Sequence, residues 1–332
     1  MSETYLITGG AGYVGSHVAA ELVARGHAVV VLDDLSQGHA EAVPPGATLI
    51  RGDLADRRLL ESVFVRYRFA GVLHFAARSL VGESMRQPWR YLRDNTVNAL
   101  NLIETAVAFE VQRFVLSSTC AIFAPTDAPL AEDAPVGPAS PYGESKHMIE
   151  RLLDWAERVY RLRSACLRYF NAAGAHPVLP LGEDHWPETH LVPLALEVAL
   201  GQRPHLEIHG DDWPTPDGTC IRDYVHVMDL ADAHVRVLAA LEQGSRRYNL
   251  GIGRGFSVHE VIEAARRVTG HPIPTRVGPR RAGDPARLVA DPTRARRELG
   301  GAPRCSELEA LVATAWAWKR SHPAGYASRA AA

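Results

Sequence analysis

The chain has 332 residues, 46% of them hydrophobic and 22% charged, which is enough to bury the core of one large or two medium domains. Its 36 basic and 38 acidic residues leave a formal charge of −2, so bulk electrostatics predict no nucleic-acid and no membrane partner. The start MSETYLITGG lacks the basic stretch and apolar core of a signal peptide, no apolar run approaches the ~18 residues of a membrane span, and the four cysteines form no C-x-x-C pair, so a cytoplasmic protein with reduced thiols is expected.

The first half alternates short apolar runs with helical stretches. TYLITG reads as a strand and is followed by a helix over about residues 13–25. HAVVVLDD and ATLIRGD are the next strands, then AGVLHFAA and QRFVLSST, with helices near 57–68 and 95–109 between them. Strands that are apolar almost throughout, separated by helices, are buried on both faces, which predicts an α/β fold with a doubly wound parallel Rossmann sheet. The second half is punctuated by proline and glycine at GAHPVLPLGEDHWPETHLVP and GDDWPTPDGT, as expected of a smaller α/β domain. The arginines of TRARREL read as the solvated face of a helix, and the 15 histidines show no H-E-x-x-H or similar pattern, so no metal is expected.

The loop GGAGYVGSH follows the first strand directly and opens a helix. Gly9, Gly12 and Gly15 therefore fall where backbone must approach a pyrophosphate, with a helix N-terminus facing the negative charge. The second strand ends in VVLDD, placing Asp33 where a carboxylate accepts hydrogen bonds from an adenosine ribose diol and repels a 2′-phosphate, which favours NAD over NADP. Asp53 in RGDL falls near the adenine, and the small residues of HFAA let backbone approach the cofactor.

In SPYGESKHMIE, Tyr142 and Lys146 stand four apart at the start of a helix, on one face. An ammonium beside a phenol lowers its pKa by roughly 1–3 units from an ordinary value near ~10, bringing it towards use as a base near neutrality. On spacing alone an ordinary surface pair is the commoner reading.

Taken together, Gly9-x-x-Gly12-x-x-Gly15, Ser117–Thr119 and Tyr142-x-x-x-Lys146 resemble the extended short-chain dehydrogenase/reductases, and within them the sugar-nucleotide 4-epimerases. The pieces HVMDLADAH, LRYFNAAGAHP, IRDYVHV, YNLG and RRAGDPA extend the resemblance over nearly the whole chain. It implies an NAD-binding domain over residues 1–171 and a nucleotide-sugar domain over 172–332, with a segment near 221–250 returning to the first. It implies redox-neutral 4-epimerisation of a UDP-hexose through a 4-keto sugar on bound NAD. Tyr142 would take the proton from the sugar 4-hydroxyl, Lys146 would depress the phenol and bond the nicotinamide ribose, and Thr119 would bond the 4-oxygen and relay the proton.

The resemblance also carries binding residues. Around the cofactor it implies Tyr13 and Val14 in the glycine loop, Asp34 beside Asp33, and Leu54 beside Asp53. Phe75, Ala76 and Ala77, then Asn95 and Tyr169, complete that set. For the substrate it implies Ser79, Asn171, His190 and Leu191, with Arg222 on the diphosphate and Arg281 and Asp284 closing over it. An arginine suits a diphosphate because its planar fork donates two hydrogen bonds. A pocket position in RRAGDPARLVAD that limits the size of the sugar falls on Leu288. A homodimer formed by pairing of the helices near Asn95 and Tyr142 is expected, with Ile149, Leu152, Leu153 and Trp155 as surplus apolar surface.

The chain departs from the usual pattern at Phe123 and Ala124, where a Tyr-Gly pair is common, and at PETHLVP, where many members carry paired asparagines. His190 there either contacts diphosphate or sugar, or is an ordinary polar loop residue. A 4,6-dehydratase would follow Thr119 with Asp-Glu, and here Cys120-Ala121 stand instead. A UDP-pentose or UDP-uronate 4-epimerase, and a non-catalytic NAD-binding regulator, remain as alternatives.

Overall fold

The computed structural model describes residues 2–281, 284–300 and 303–327. In chain order the first part holds β1 (Thr4–Thr8), α1 (Tyr13–Ala24), β2 (Ala28–Asp33), β3 (Ala47–Arg51), α2 (Arg57–Arg66), β4 (Gly71–His74), α3 (Val81–Ser84), α4 (Pro88–Ala108), β5 (Arg113–Thr119), α5 (Pro141–Tyr160) and β6 (Arg163–Tyr169). There follow β7 (Asn171–Ala173), α6 (Leu191–Ala199), β8 (Leu206–His209), β9 (Ile221–His226), α7 (Val227–Ala240) and β10 (Arg246–Leu250). The chain continues with β11 (Gly255–Ser257), α8 (Val258–Thr269), β12 (Thr275–Gly278), β13 (Arg287–Leu288), α9 (Thr293–Leu299) and α10 (Leu308–Ser321).

Seven parallel strands form the main sheet in the order β10-β6-β5-β4-β1-β2-β3. β4 is buried at every position and β1 and β5 at nearly every one, in line with their largely apolar runs, whereas β6 is as deeply buried although RSACLRY carries two arginines and a serine. β3 looks equally apolar but lies at the edge and is half exposed. One face is covered by α1 and α7 through Val18, Leu22, Leu230 and Leu238. The other is covered by α2, α4 and α5 through Leu60, Phe64, Leu102, Ile149 and Leu153. Each such fully buried side chain contributes about 1.5–3 kcal/mol relative to exposure.

Two strand-forming excursions leave β1 in opposite directions, towards β2 on one side and β4 on the other. At such a reversal the loops diverge and open a crevice at the carboxyl ends of the strands, the usual place for a ligand in this architecture. The sequence from β9 returns to the sheet: α7 packs beside α1 and β10 adds a strand next to β6.

A second layer joins β9 to β7, β11 and β13, with β8 paired to β12. Its core lies under α6, α8 and α10, among them Leu196, Val261, Ile262 and Leu311. α8 starts with a reciprocal cap between Ser257 and Glu260 and ends at Gly270 with φ 74°, where a left-handed residue costs glycine least.

The helix expected over 95–109 begins earlier, at Pro88. Proline at the first helical position costs no hydrogen bond, and Tyr91 and Asn95 then bury on the same face. In α9, Arg294 and Arg297 lie 3.6 and 2.7 Å from Glu132 and Glu298, so this arginine-rich face is offset by carboxylates. Among the described residues no helix is long and apolar enough to cross a membrane.

Candidate active site

The loop between β1 and α1 is built on backbone contacts. Gly9 has φ 73°, and a Cβ there would come within 2.3 Å of the Ala76 nitrogen. One on Gly15 would meet the Gly9 oxygen at 2.2 Å. Any side chain would therefore force the loop away from β4 and α1. Gly12 is the N-cap of α1, and no described side chain caps that turn, so its first N–H groups are open to an anion. This glycine cradle and bare helix start fit the pyrophosphate of a dinucleotide.

Asp33 ends β2 and is 7% exposed. Its Oδ2 accepts from the Ala11 N–H at 3.0 Å and its Oδ1 from Leu35 N–H at 2.9 Å. Burial raises its pKa despite these bonds. Each oxygen keeps a second lone pair for a ribose hydroxyl. Tyr13 and Val14 open α1, and the Tyr13 hydroxyl donates to Gly174 O at 2.6 Å. Asp34 and Asp53 are exposed and hold their own turns through Ser36 and Ala55, while Leu54 is buried. Phe75 and Ala76 both donate to Thr8 O, bringing the end of β4 across the glycine loop, with Ala77 and the exposed Ser79 following.

Asn95 is 2% exposed and its amide is committed to the protein. Oδ1 accepts from Arg78 N at 2.8 Å, and Nδ2 donates to Arg78 O and to Ser145 Oγ, each at 3.0 Å. It ties the loop after β4 to α5, a positioning contact in this structure.

α5 starts because Ser140 caps it, accepting from the Gly143 N–H at 3.2 Å, and Pro141 takes the first position. That start sets Tyr142 and Lys146 one turn apart beneath the end of β5. Burial pushes the Tyr142 phenol above its ordinary value, and the polar Thr119 side chain beside it works the other way. Lys146 is 2% exposed and donates to Ser117 O at 2.8 Å. Burial lowers its pKa to about 8, against the opposing pull of Glu150. Tyr169 hydroxyl and Ser117 Oγ lie 2.5 Å apart on adjacent strands. Thr119, Tyr142 and Lys146 thus converge where β5 ends, beside the cofactor cradle.

The sequence reading overlooked Glu150. It lies a further turn along the same face and accepts from Arg168 at 3.0 and 2.6 Å and from Ser118 at 2.6 Å. The helical spacing Tyr142, Lys146, Glu150 was the available signal.

On the substrate side, Asn171 on β7 pairs with Tyr224 of β9. Arg222 on β9 pairs in register with Leu288 of β13. Arg222 Nη2 lies 3.7 Å from Asp284 Oδ2. Burial pushes the Cys120 thiol up to about 12, and the Arg222 charge opposes this. Leu288 packs on a cluster containing Cys120, Phe123 and Phe170. Phe123 is 5% exposed with the Arg168 guanidinium 5.2 Å from its ring centre, so the hydroxyl it lacks would have sat in core. Arg281 is exposed, and residues 282 and 283 of RRAGD lie outside the described residues.

His190 immediately precedes α6, which Leu191 opens. The His190 Nδ1 lies 3.0 Å from both Glu183 Oε1 and Glu188 Oε1, so this side of the ring is turned to carboxylates.

A family model described as the NAD dependent epimerase/dehydratase family matches residues 5–251. A UDP-glucose 4-epimerase of Halalkalibacterium halodurans is 48% identical over 326 residues, covering 97% of each chain. A solved UDP-glucose 4-epimerase superposes with a TM-score of 0.94 at 48% identity, covering 97% of this chain and 99% of its own. The Stenotrophomonas maltophila UDP-glucose-4-epimerase, solved with NAD and formylated UDP-arabinopyranose, superposes with a TM-score of 0.93 at 38% identity, over 97% and 99% of the two chains. With such coverage and a matching site frame, the chain belongs to the NAD dependent epimerase/dehydratase family.

Proposed function

We propose that this chain is an NAD-dependent UDP-hexose 4-epimerase that interconverts UDP-galactose and UDP-glucose. The observation that carries the reading is the meeting at the end of β5 of Thr119, the last residue of that strand, with Tyr142 and buried Lys146, one turn apart at the start of α5. The cofactor belongs with the part built on residues 1–171 and the sugar nucleotide with 172–332, around Asn171, His190, Leu191, Arg222, Arg281, Asp284 and Leu288.

When bound, NAD supplies a hydride acceptor and, oxidised, a positive charge. The chain's own residues handle the proton. Tyr142 accepts it from the sugar 4-hydroxyl and returns it after the 4-keto sugar has turned. Its phenol is raised by burial, so it needs cations to act as a base, and Lys146 is the protein's own. Thr119 holds the phenol oriented and bonds the 4-oxygen. Arg222 and Arg281 neutralise the diphosphate.

The test is to give purified protein UDP-galactose without added reductant. UDP-glucose should form with no net NADH. NADH accumulating in step with product would make the protein a dehydrogenase. A UDP-pentose reading has one observation in its favour, the UDP-arabinopyranose derivative bound by the Stenotrophomonas maltophila relative. A higher kcat/KM for UDP-xylose or UDP-glucuronate than for UDP-galactose would establish the pentose or uronate alternative.

The assembly proposed is a homodimer through α4 and α5. Ile149 and Leu153 are spent on the sheet, being fully buried. The apolar surface left for a partner is Trp89, Val97, Met148, Trp155 and Val159. These residues lie on two helices packed side by side, suited to an isologous contact.

A further inference from the structure

Glu183, His185, Glu188 and His190 come together in the segment between β7 and α6, and one ligand atom from each lies within 4.8 Å of all the others. We propose that these four side chains form a structural zinc site. The Nδ1 of His190 is 3.0 Å from Glu183 Oε1 and 3.0 Å from Glu188 Oε1. The Nδ1 of His185 is 3.3 Å from Glu183 Oε1 and 3.7 Å from Glu188 Oε2. In a tetrahedron with zinc bonds of about 2.0–2.2 Å, neighbouring ligand atoms are about 3.3–3.6 Å apart. The four nitrogen–oxygen separations straddle that range, and the widest pair of ligand atoms is no more than 4.8 Å apart, so the side chains would close around a cation by drawing in their wider pairs by about an ångström.

Two further observations point to a ligand at the centre. Glu183 and Glu188 are each 8% exposed and both face the two imidazoles, so the segment gathers buried negative charge and nitrogen donors at one point, where a cation would be held. His185 Nδ1 is buried and makes no hydrogen bond, although it is aimed at both carboxylates. A donor nitrogen with charge in front of it but no aligned partner is what a missing metal leaves.

The donor set selects the metal. Two imidazole nitrogens and two carboxylate oxygens suit zinc, whereas calcium and magnesium prefer oxygen alone and no thiolate is present to favour copper(I). All four positions come from the protein, so the site is closed and structural. Its place gives it a task. The His185 ring meets the ring of Tyr13, the first residue of α1, edge-on at 6.2 Å, and His190 directly precedes α6. Zinc here would fix the start of α6 against the start of α1, joining the cofactor and substrate sides of the crevice.

The experiment uses the full chain with its cofactor, purified without a metal-affinity tag, stripped with a chelator and reloaded with zinc sulfate. About one zinc ion per chain should be retained after gel filtration. His185→Asn and Glu188→Gln should each weaken retention against a chromogenic chelator by more than the ~10–100-fold that outer partners are worth. Cobalt(II) loaded in place of zinc should give the intense visible bands of a four-coordinate site without a thiolate charge-transfer band. This wild-type spectrum decides the matter even if neither variant folds. Failure of the wild type to retain zinc, equal retention by both variants, or a thiolate band would each overturn the proposal.

Discussion

Glu150 stands one turn beyond Lys146 on α5 and holds Arg168 in a two-pronged contact, Oε1 to Nε at 3.0 Å and Oε2 to Nη2 at 2.6 Å. Both side chains are at most 5% exposed. Breaking such a pair strands a buried charge and costs about 3–5 kcal/mol. Arg168 holds the Glu150 pKa below its ordinary value against burial, so the contribution is present at neutral pH and is lost as pH falls through the lowered pKa. Glu150→Gln should lower the unfolding free energy by roughly that amount in urea titrations at pH 7. An unchanged midpoint would show that Arg168 is satisfied elsewhere.

The same substitution should change the chemistry through Lys146. Burial draws its pKa down to about 8, and Glu150 resists that fall. A lysine is charged below its pKa, so the wild-type kcat should fall as pH rises through about 8. Glu150→Gln lowers the pKa further and should move this alkaline limb to lower pH. If the limb stayed in place, Lys146 would not be the group that titrates.

Tyr142→Phe should remove a general base normally worth about 10²–10⁴-fold in kcat, with little change in cofactor content. Lys146→Ala should slow the reaction and abolish the alkaline limb and, with Lys146 proposed as the cation that depresses a phenol raised by burial, should shift the acid limb upward. A pH profile of the alanine variant parallel to that of the wild type would remove Lys146 from the proton chemistry.

The elements of this site were legible in the sequence where local pattern and function coincide. The glycine loop follows an apolar strand directly and stands out locally, whereas Tyr142 and Lys146, at helical spacing after a Ser-Pro cap, gain meaning only beside that loop and Ser117–Thr119. Glu150 did not stand out, because its meaning depends on Arg168 from β6 and Ser118 from β5. The strand β10, RRYNL, has too few apolar residues to read as sheet and is identified by its pairing with β6. The quartet Glu-x-His-x-x-Glu-x-His at 183–190 escaped a search for helical metal motifs because it lies in a loop, where no fixed period brings ligands together.

Assembly can be tested through Trp155, which is 58% exposed on α5. Light scattering at micromolar concentration should give twice the mass of the chain, and Trp155→Glu should shift it to the monomer with the far-UV spectrum retained. A wild-type mass equal to one chain would defeat the dimer.

The last prediction concerns how large a sugar the site admits. Leu288 lies in register with Arg222, which is proposed to bind the diphosphate, and it packs against Phe123 and Phe170 near the end of β5. The family resemblance, rather than this packing, is what puts its side chain beside a sugar 2-substituent. Leucine is smaller than tyrosine but larger than serine, and its apolar head offers no hydrogen bond to an acetamido group. Forcing an extra group into a packed pocket costs on the order of 1–3 kcal/mol, or roughly 10–200-fold in kcat/KM. UDP-glucose and UDP-galactose should therefore be turned over well, and UDP-N-acetylglucosamine poorly but measurably. Leu288→Ser should raise the N-acetylhexosamine rate and Leu288→Tyr should abolish it. If neither substitution changed the ratio of kcat/KM for the two substrates, another residue would set the size limit, and Leu288 would be a packing residue of the cluster around Phe123.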